Sequence, residues 1–145
     1  RRVAKGELAK KKGIALAKKK DWAGAIEELE EAQKILGESG EIAIHLAWAL
    51  WNLGPRKEVE GRVRTLLKKA VARGEPDPIR ARGYYYQGLL ARIDQKWEEA
   101  EKLLSRAVKL DDKLTEAVTE LRVLRRRLER QEVTGKRFLR KLFGK

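Results

Sequence analysis

The chain has 145 residues, 42% of them hydrophobic and 39% charged, which suits one domain built from amphipathic helices. It has no cysteine and a single histidine, so disulfides, thiolate catalysis and cysteine metal sites are excluded. Thirty-five basic against 22 acidic residues give a net charge of +13, and that excess is unevenly spread.

Residues 1–20 hold nine basic and one acidic residue, and residues 121–145 hold ten basic and two acidic. Residues 21–60 reverse the balance, with nine acidic and three basic, so the chain is basic at both ends and acidic near its start. The longest strongly apolar stretch, Ile42 to Leu53, is 12 residues long and contains His45 and Asn52. A membrane span needs roughly 18 apolar residues or more. There is no signal-peptide pattern, and the chain opens on Arg1 without a methionine. The expectation is a soluble, cytoplasmic chain cut from a longer protein.

In chain order, the first helix runs from about Val3 to Lys19. Asp21 is a plausible N-cap for a second, in which Ala25, Ile26, Leu29, Ala32, Ile35 and Leu36 recur at spacings of 3 and 4. Gly37 stops it as a C′ residue, and Glu27, Glu28, Glu30 and Glu31 form its exposed face. A third helix carries Ala43, Leu46, Ala47 and Leu50 and ends at Leu53-Gly54-Pro55. Turn chemistry returns in Gly74-Glu75-Pro76-Asp77-Pro78. After Asp111-Asp112, Ala117, Leu121, Leu124 and Leu128 make an amphipathic helix with Arg122, Arg125, Arg126, Arg127 and Arg130 opposite. Beyond Thr134-Gly135 the run from Lys136 to Lys145 places Phe138, Leu139, Leu142 and Phe143 at i, i+1, i+4 and i+5, so they would share one helix face with cations opposite.

The chain repeats itself. Gly88, Trp97, Ala100, Leu104 and Ala107 stand at offsets 0, 9, 12, 16 and 19, and Gly13, Trp22, Ala25, Leu29 and Ala32 stand at the same five offsets. This pattern resembles the tetratricopeptide (TPR) repeat, a helix-turn-helix of about 34 residues. The physical basis is close approach: Gly88 and Ala100 let the two helices of one repeat pack tightly, and Ala107 admits the next repeat.

The resemblance implies an all-α fold, a right-handed α-α superhelix of three TPR-like hairpins with a C-terminal capping helix. The TPR-like domain is expected over residues 1–131, with repeats at about 6–39, 40–77 and 81–114 and the capping helix at about 115–131. A basic amphipathic tail, 132–145, follows. On the first helix Leu8, Ala9, Lys12, Gly13 and Leu16 should turn inward, with Lys12 the misfit. The middle repeat looks stretched, because Ala70 lies 38 residues after Ala32 and Ala107 lies 37 after Ala70. Two insertions would account for this, four residues near Gly54 to Val59 and three in the Gly74 to Pro78 turn, with the second helix of that repeat displaced.

The TPR resemblance implies a concave groove that binds a partner peptide or helix. Its positions fall on Lys10, Lys11, Ile14 and Lys18 in repeat one and on Ile44, His45, Trp48 and Asn52 in repeat two. Repeat three supplies Arg82, Tyr85, Tyr86, Leu89 and Arg92. Such a groove is aromatic in the middle and cationic at its edges, and suits a partner with large apolar side chains and carboxylates. Trp48 fits either the groove or the core of a helix that is apolar nearly all round, whereas Trp22 and Trp97 read as core. Of Tyr84, Tyr85 and Tyr86, at most two can face the groove. In the chaperone-binding members of the family a Lys and two Asn, with a Lys and an Arg, grip a C-terminal carboxylate. Here those places hold Lys10, Ile14, His45, Arg82 and Tyr86, so only Lys10 matches and Arg82 keeps the charge.

No catalytic residues are assigned: the two serines and four threonines have no base nearby in sequence, and no phosphate-cradling glycine loop is present. One histidine without cysteine argues against a transition-metal site, and no cofactor is implied. The expected activity is a non-enzymatic scaffold or adaptor for another protein. A second reading gives the basic tail (Lys136, Arg137, Phe138, Arg140, Lys141 and Phe143) and the Arg122 to Arg130 face to nucleic acid or an anionic membrane. A third is self-association through exposed helix faces.

Overall fold

The computed structural model describes residues 1–144, which form seven α-helices. These are α1 (Arg2–Lys18), α2 (Trp22–Leu36), α3 (Gly40–Leu53), α4 (Arg56–Ala70), α5 (Asp77–Ile93), α6 (Trp97–Leu110) and α7 (Thr115–Phe143). Among the described residues there is no strand. The ends follow the local chemistry. The Asp21 carboxylate accepts a hydrogen bond from the Gly24 N–H at 3.1 Å, and the Ser39 hydroxyl accepts one from the Ile42 N–H at 3.2 Å. Gly37 and Gly54 end α2 and α3 at φ of 82° and 70°, values that glycine adopts without steric cost.

Helices packed as neighbours in the chain, α1 on α2, α3 on α4 and α5 on α6, make three hairpins. Each hairpin rests on the next through α2 on α3, α4 on α5 and α6 on α7, and α3 also touches α1 and α5. Close approach inside a hairpin depends on glycine. A Cβ on Gly13 would stand 2.6 Å from Leu29 Cγ, and one on Gly88 would stand 2.8 Å from Leu104 Cγ. Both leucines are fully buried, so the spacing shared by the first and third hairpins is a shared packing contact.

The helix boundaries measure the repeat. The second helices of the hairpins begin at Trp22, Arg56 and Trp97, and positive φ falls at Lys20, Gly54 and Gln95 in the turns before them. Both series step by 34 and then 41 residues. There is therefore no four-residue insertion near Gly54 to Val59, and α4 is not displaced: it matches α2 in length, at 15 residues. Of the seven extra residues, three lengthen the link between α4 and α5, which has six residues against three between α2 and α3, as expected for the Gly74 to Pro78 turn, and the other four extend the start of α5. The sequence misleads here because Ala70, matched to Ala32 for its size, stands one turn further on, at the place of Leu36. Leu66 holds the place of Ala32. The extra segment is put to use, since the Glu75 carboxylate accepts a hydrogen bond from the Gly40 N–H at 2.9 Å and caps α3 from outside its own hairpin.

Helix α3 is central: nine of its 14 residues are buried. The outer helices are less covered. Leu8 and Lys12, expected to face inward, are both exposed, Leu8 by 53%. The residue one repeat later than Leu8 is Ile42, only 1% exposed, because α3 has a hairpin before it and α1 does not. At the other end α7 runs without a break through Thr134 and Gly135, so the change of sequence character there is not a backbone boundary. Its buried residues are Ala117, Leu121 and Leu124, and from Glu129 to Gly144 every residue is exposed.

Candidate partner-binding surface

The expected groove residues lie on α1, α3 and α5, and the structure sorts them into three groups. The first is aromatic. Trp48 on α3 stacks on Tyr86 of α5 with ring centroids 4.4 Å apart and planes within 4°, and the Tyr85 ring is tilted against Tyr86 at 5.5 Å. Trp48, Tyr85 and Leu89 are half-buried, so each offers part of its apolar surface to solvent. Trp48 is thus both core and surface: one ring face is spent on Tyr86. Asn52, one turn on, donates from its side-chain amide to the Trp48 carbonyl oxygen at 2.8 Å, which uses one of its two amide hydrogens.

Beside this stack is a pocket of about 150 Å³ between α3, α4 and α5. Trp48, Trp51, Val63, Tyr86, Leu89 and Ile93 form its apolar wall, with Arg56 and Arg92 among its charged lining. Its volume suits a benzene-sized group. Trp51, Arg56 and Ile93 are absent from the sequence-based site. The Arg56 guanidinium lies 4.6 Å above the Trp51 ring centroid, a contact between the end of α3 and the start of α4 that no intra-helix spacing reports.

The second group is cationic, and most of it is already paired. Lys10 sits 2.9 Å from Glu41 and 3.2 Å from Glu7, and the hydrogen bond to Glu41 holds its pKa above the ordinary lysine value. Arg82 lies 3.4 Å from Glu116 and donates to the Tyr86 hydroxyl at 3.3 Å. Arg92 lies 2.6 Å from Glu120. Glu41 and Glu116 occupy the same place in the first turns of α3 and α7, so the acids come from the neighbouring helix. The charged edge of the surface is an alternation of ion pairs, with Lys11 and Lys18 left exposed.

The third group is buried. Ile44, expected in the groove, is only 2% exposed and lies in the core, since α3 is covered on nearly every side. Tyr86 is 7% exposed, and burial raises its hydroxyl pKa above 10. Ile14 packs against the same core. His45 is half-buried, and desolvation pushes its pKa down to about 4, against the pull of Glu41. It is neutral at pH 7. The remaining aromatics lean on the core, as expected: Trp22 packs against one apolar cluster and Trp97 against another, with the Arg127 guanidinium 4.2 Å above the Trp97 ring. Tyr84 lies away from Trp48, near Arg80 and Arg106 at 6.0 and 5.7 Å.

Compared with protein-family models, with curated proteins and with solved structures, the chain matches none.

Proposed function

We propose that the chain is a non-enzymatic protein-binding scaffold, a tetratricopeptide-like array of three hairpins coiled as a right-handed superhelix. It would take a partner peptide or helix on the concave face formed by α1, α3 and α5, as an adaptor within a larger protein. The observation that carries this reading is the half-exposed patch of Trp48, Tyr85 and Leu89, two of which, Trp48 and Leu89, also line a benzene-sized pocket together with two arginines. A rigid aromatic surface costs little side-chain entropy to desolvate, and such patches dominate binding energy. The partner would place an apolar side chain in the pocket and a carboxylate towards Arg56 or Arg92. Because Lys10, Arg82 and Arg92 already have acidic neighbours, added selectivity for an acidic partner would come from exchanging those pairs.

A peptide selected from a random library on the intact domain tests this. Trp48→Ala and Tyr85→Ala should each weaken its binding by about 2 kcal/mol, roughly 30-fold, with circular dichroism unchanged. Binding that survives both changes would remove the groove assignment.

A further inference from the structure

We propose that the free half of α7 is an interfacial anchor that lays this protein on an anionic lipid surface, a role separate from the groove. The first half of α7 packs on α6 through Leu121 and Leu124. At 3.6 residues per turn, Phe138, Leu139, Leu142 and Phe143 fall on the same side of the helix as those two leucines, and Gln131, Glu132 and Gly135 on that side divide the apolar stripe into an inner and an outer part. Its inner part is covered by α6. Its outer part is covered by none of the described residues, and the four side chains are 61%, 55%, 58% and 81% exposed.

The charge around that outer part names the occupant. Lys136, Arg137, Arg140 and Lys141 take up the rest of the circumference and border the apolar stripe on both sides. Among the described residues Lys136 is the one of these four with an acidic neighbour, Glu132 at 3.2 Å, and no Asp or Glu follows Glu132 in the sequence. Apolar side chains bordered by long cations match the depth profile of an anionic bilayer interface. The rings and leucines enter the acyl boundary while the cations reach headgroup phosphates and carboxylates.

Other occupants fit less well. A second copy of α7 would set this cationic helix against another, and like charges repel. A nucleic acid would neutralise the cations and leave four large apolar side chains in water. The free half is also a lone convex rod with no wall beside it, so a protein partner would have to supply the whole cleft, whereas lipid conforms to a rod. No described helix is long and apolar enough to cross a membrane, so the mode is lying in the surface. A single short helix anchors reversibly.

Co-sedimentation of the intact chain with phosphatidylcholine vesicles, with and without phosphatidylserine, tests the proposal. Binding is expected only with phosphatidylserine and should be lost at high salt. Phe138→Ser combined with Phe143→Ser keeps every charge and lies wholly outside the packed core. It should weaken vesicle binding at least about tenfold with helicity and melting temperature kept. Three results would each overturn the anchor: no binding to phosphatidylserine vesicles at low salt, binding undiminished in the double variant, or light scattering that shows lipid-free oligomers dissolved by the same variant. Duplex DNA bound with the double variant unaffected, and vesicles not bound, would assign the cations to nucleic acid instead.

Discussion

Replacing Gly13 with alanine pits two effects against each other. In an isolated helix Gly→Ala stabilises by about 1 kcal/mol, because glycine loses more backbone entropy on folding. Here the added methyl would sit 2.6 Å from Leu29 Cγ, 2.8 Å from its Cδ2 and 3.2 Å from its backbone nitrogen. Leu29 is fully buried, so its side chain has no free space to rotate into, and the backbone contact means that α1 itself must lift from α2. Overpacking of this kind costs about 1–3 kcal/mol. Because backbone as well as side chain must move, the cost falls in the upper part of that range, about 2–3 kcal/mol, and the clash wins with a net loss on the order of 1–2 kcal/mol.

The same substitution at Gly61, in the exposed face of α4, meets nothing within 4 Å, and should give the full helix gain. For a chain of this size 1 kcal/mol moves the melting temperature by roughly 3 °C, so thermal melts followed by circular dichroism should shift in opposite directions for Gly13→Ala and Gly61→Ala. Leu29→Ala alone should cost about 3–5 kcal/mol. Adding Gly13→Ala to it should cost much less than it does alone, because the methyl then enters the space vacated and only the 3.2 Å contact with the backbone nitrogen remains. The packing argument fails if Gly13→Ala stabilises as Gly61→Ala does, or if its cost stays additive with Leu29→Ala.

Gly88→Ala, against the equally buried Leu104, should behave as Gly13→Ala does in the same melts. His45 gives a pH dependence: its folded pKa of about 4 lies below the ordinary 6.5, so between those values the unfolded chain takes up a proton that the folded one refuses. That contribution is fully present above pH 6.5 and is lost as the pH falls to 4, on the order of 3 kcal/mol in all. Urea midpoints should show the drop for the wild type and a smaller one for His45→Gln; equal slopes would count against desolvation. Glu75→Ala should cost about 1 kcal/mol by uncapping α3, and Glu75→Gln about half that, since the amide keeps an acceptor and loses the charge.

How much of this was legible in the sequence depends on how far apart the partners lie. Asp21 and Gly37 mark the ends of α2 because a cap and a C′ glycine act within one turn, and the Gly13 to Leu29 spacing survives because it repeats unchanged at Gly88 to Leu104. The middle hairpin was misread where composition stood in for position: Ala47 fills the place of Gly13, and Ala70 drew the register four residues off. The site was half visible. Trp48, Tyr85 and Leu89, singled out from their places on the first helices, are half-buried and keep part of their surface in solvent. Glu41, Glu116 and Glu120, which pair with Lys10, Arg82 and Arg92, were not singled out, since they stand 28 to 34 residues away on a neighbouring helix. Ile44 was misplaced because a groove position on an outer helix is a core position on α3. The tail was read as a separate segment from Thr134-Gly135, yet two weak helix formers flanked by Arg, Lys and Glu do not end a helix without a positive-φ residue or a proline.

The central position of α3 has a consequence for how the molecule comes apart. An array held only by contacts between neighbours opens from its ends, so amide hydrogen exchange should be graded along the chain and not uniform. The free half of α7 should exchange first, as it has no tertiary contact to lose, followed by α1, which is covered on one side. Slowest will be α3, clamped between two hairpins and held at its first turn by a carboxylate from a third stretch of chain. A protease or an unfolding force acting on this protein would meet a molecule that frays for a long way before it yields.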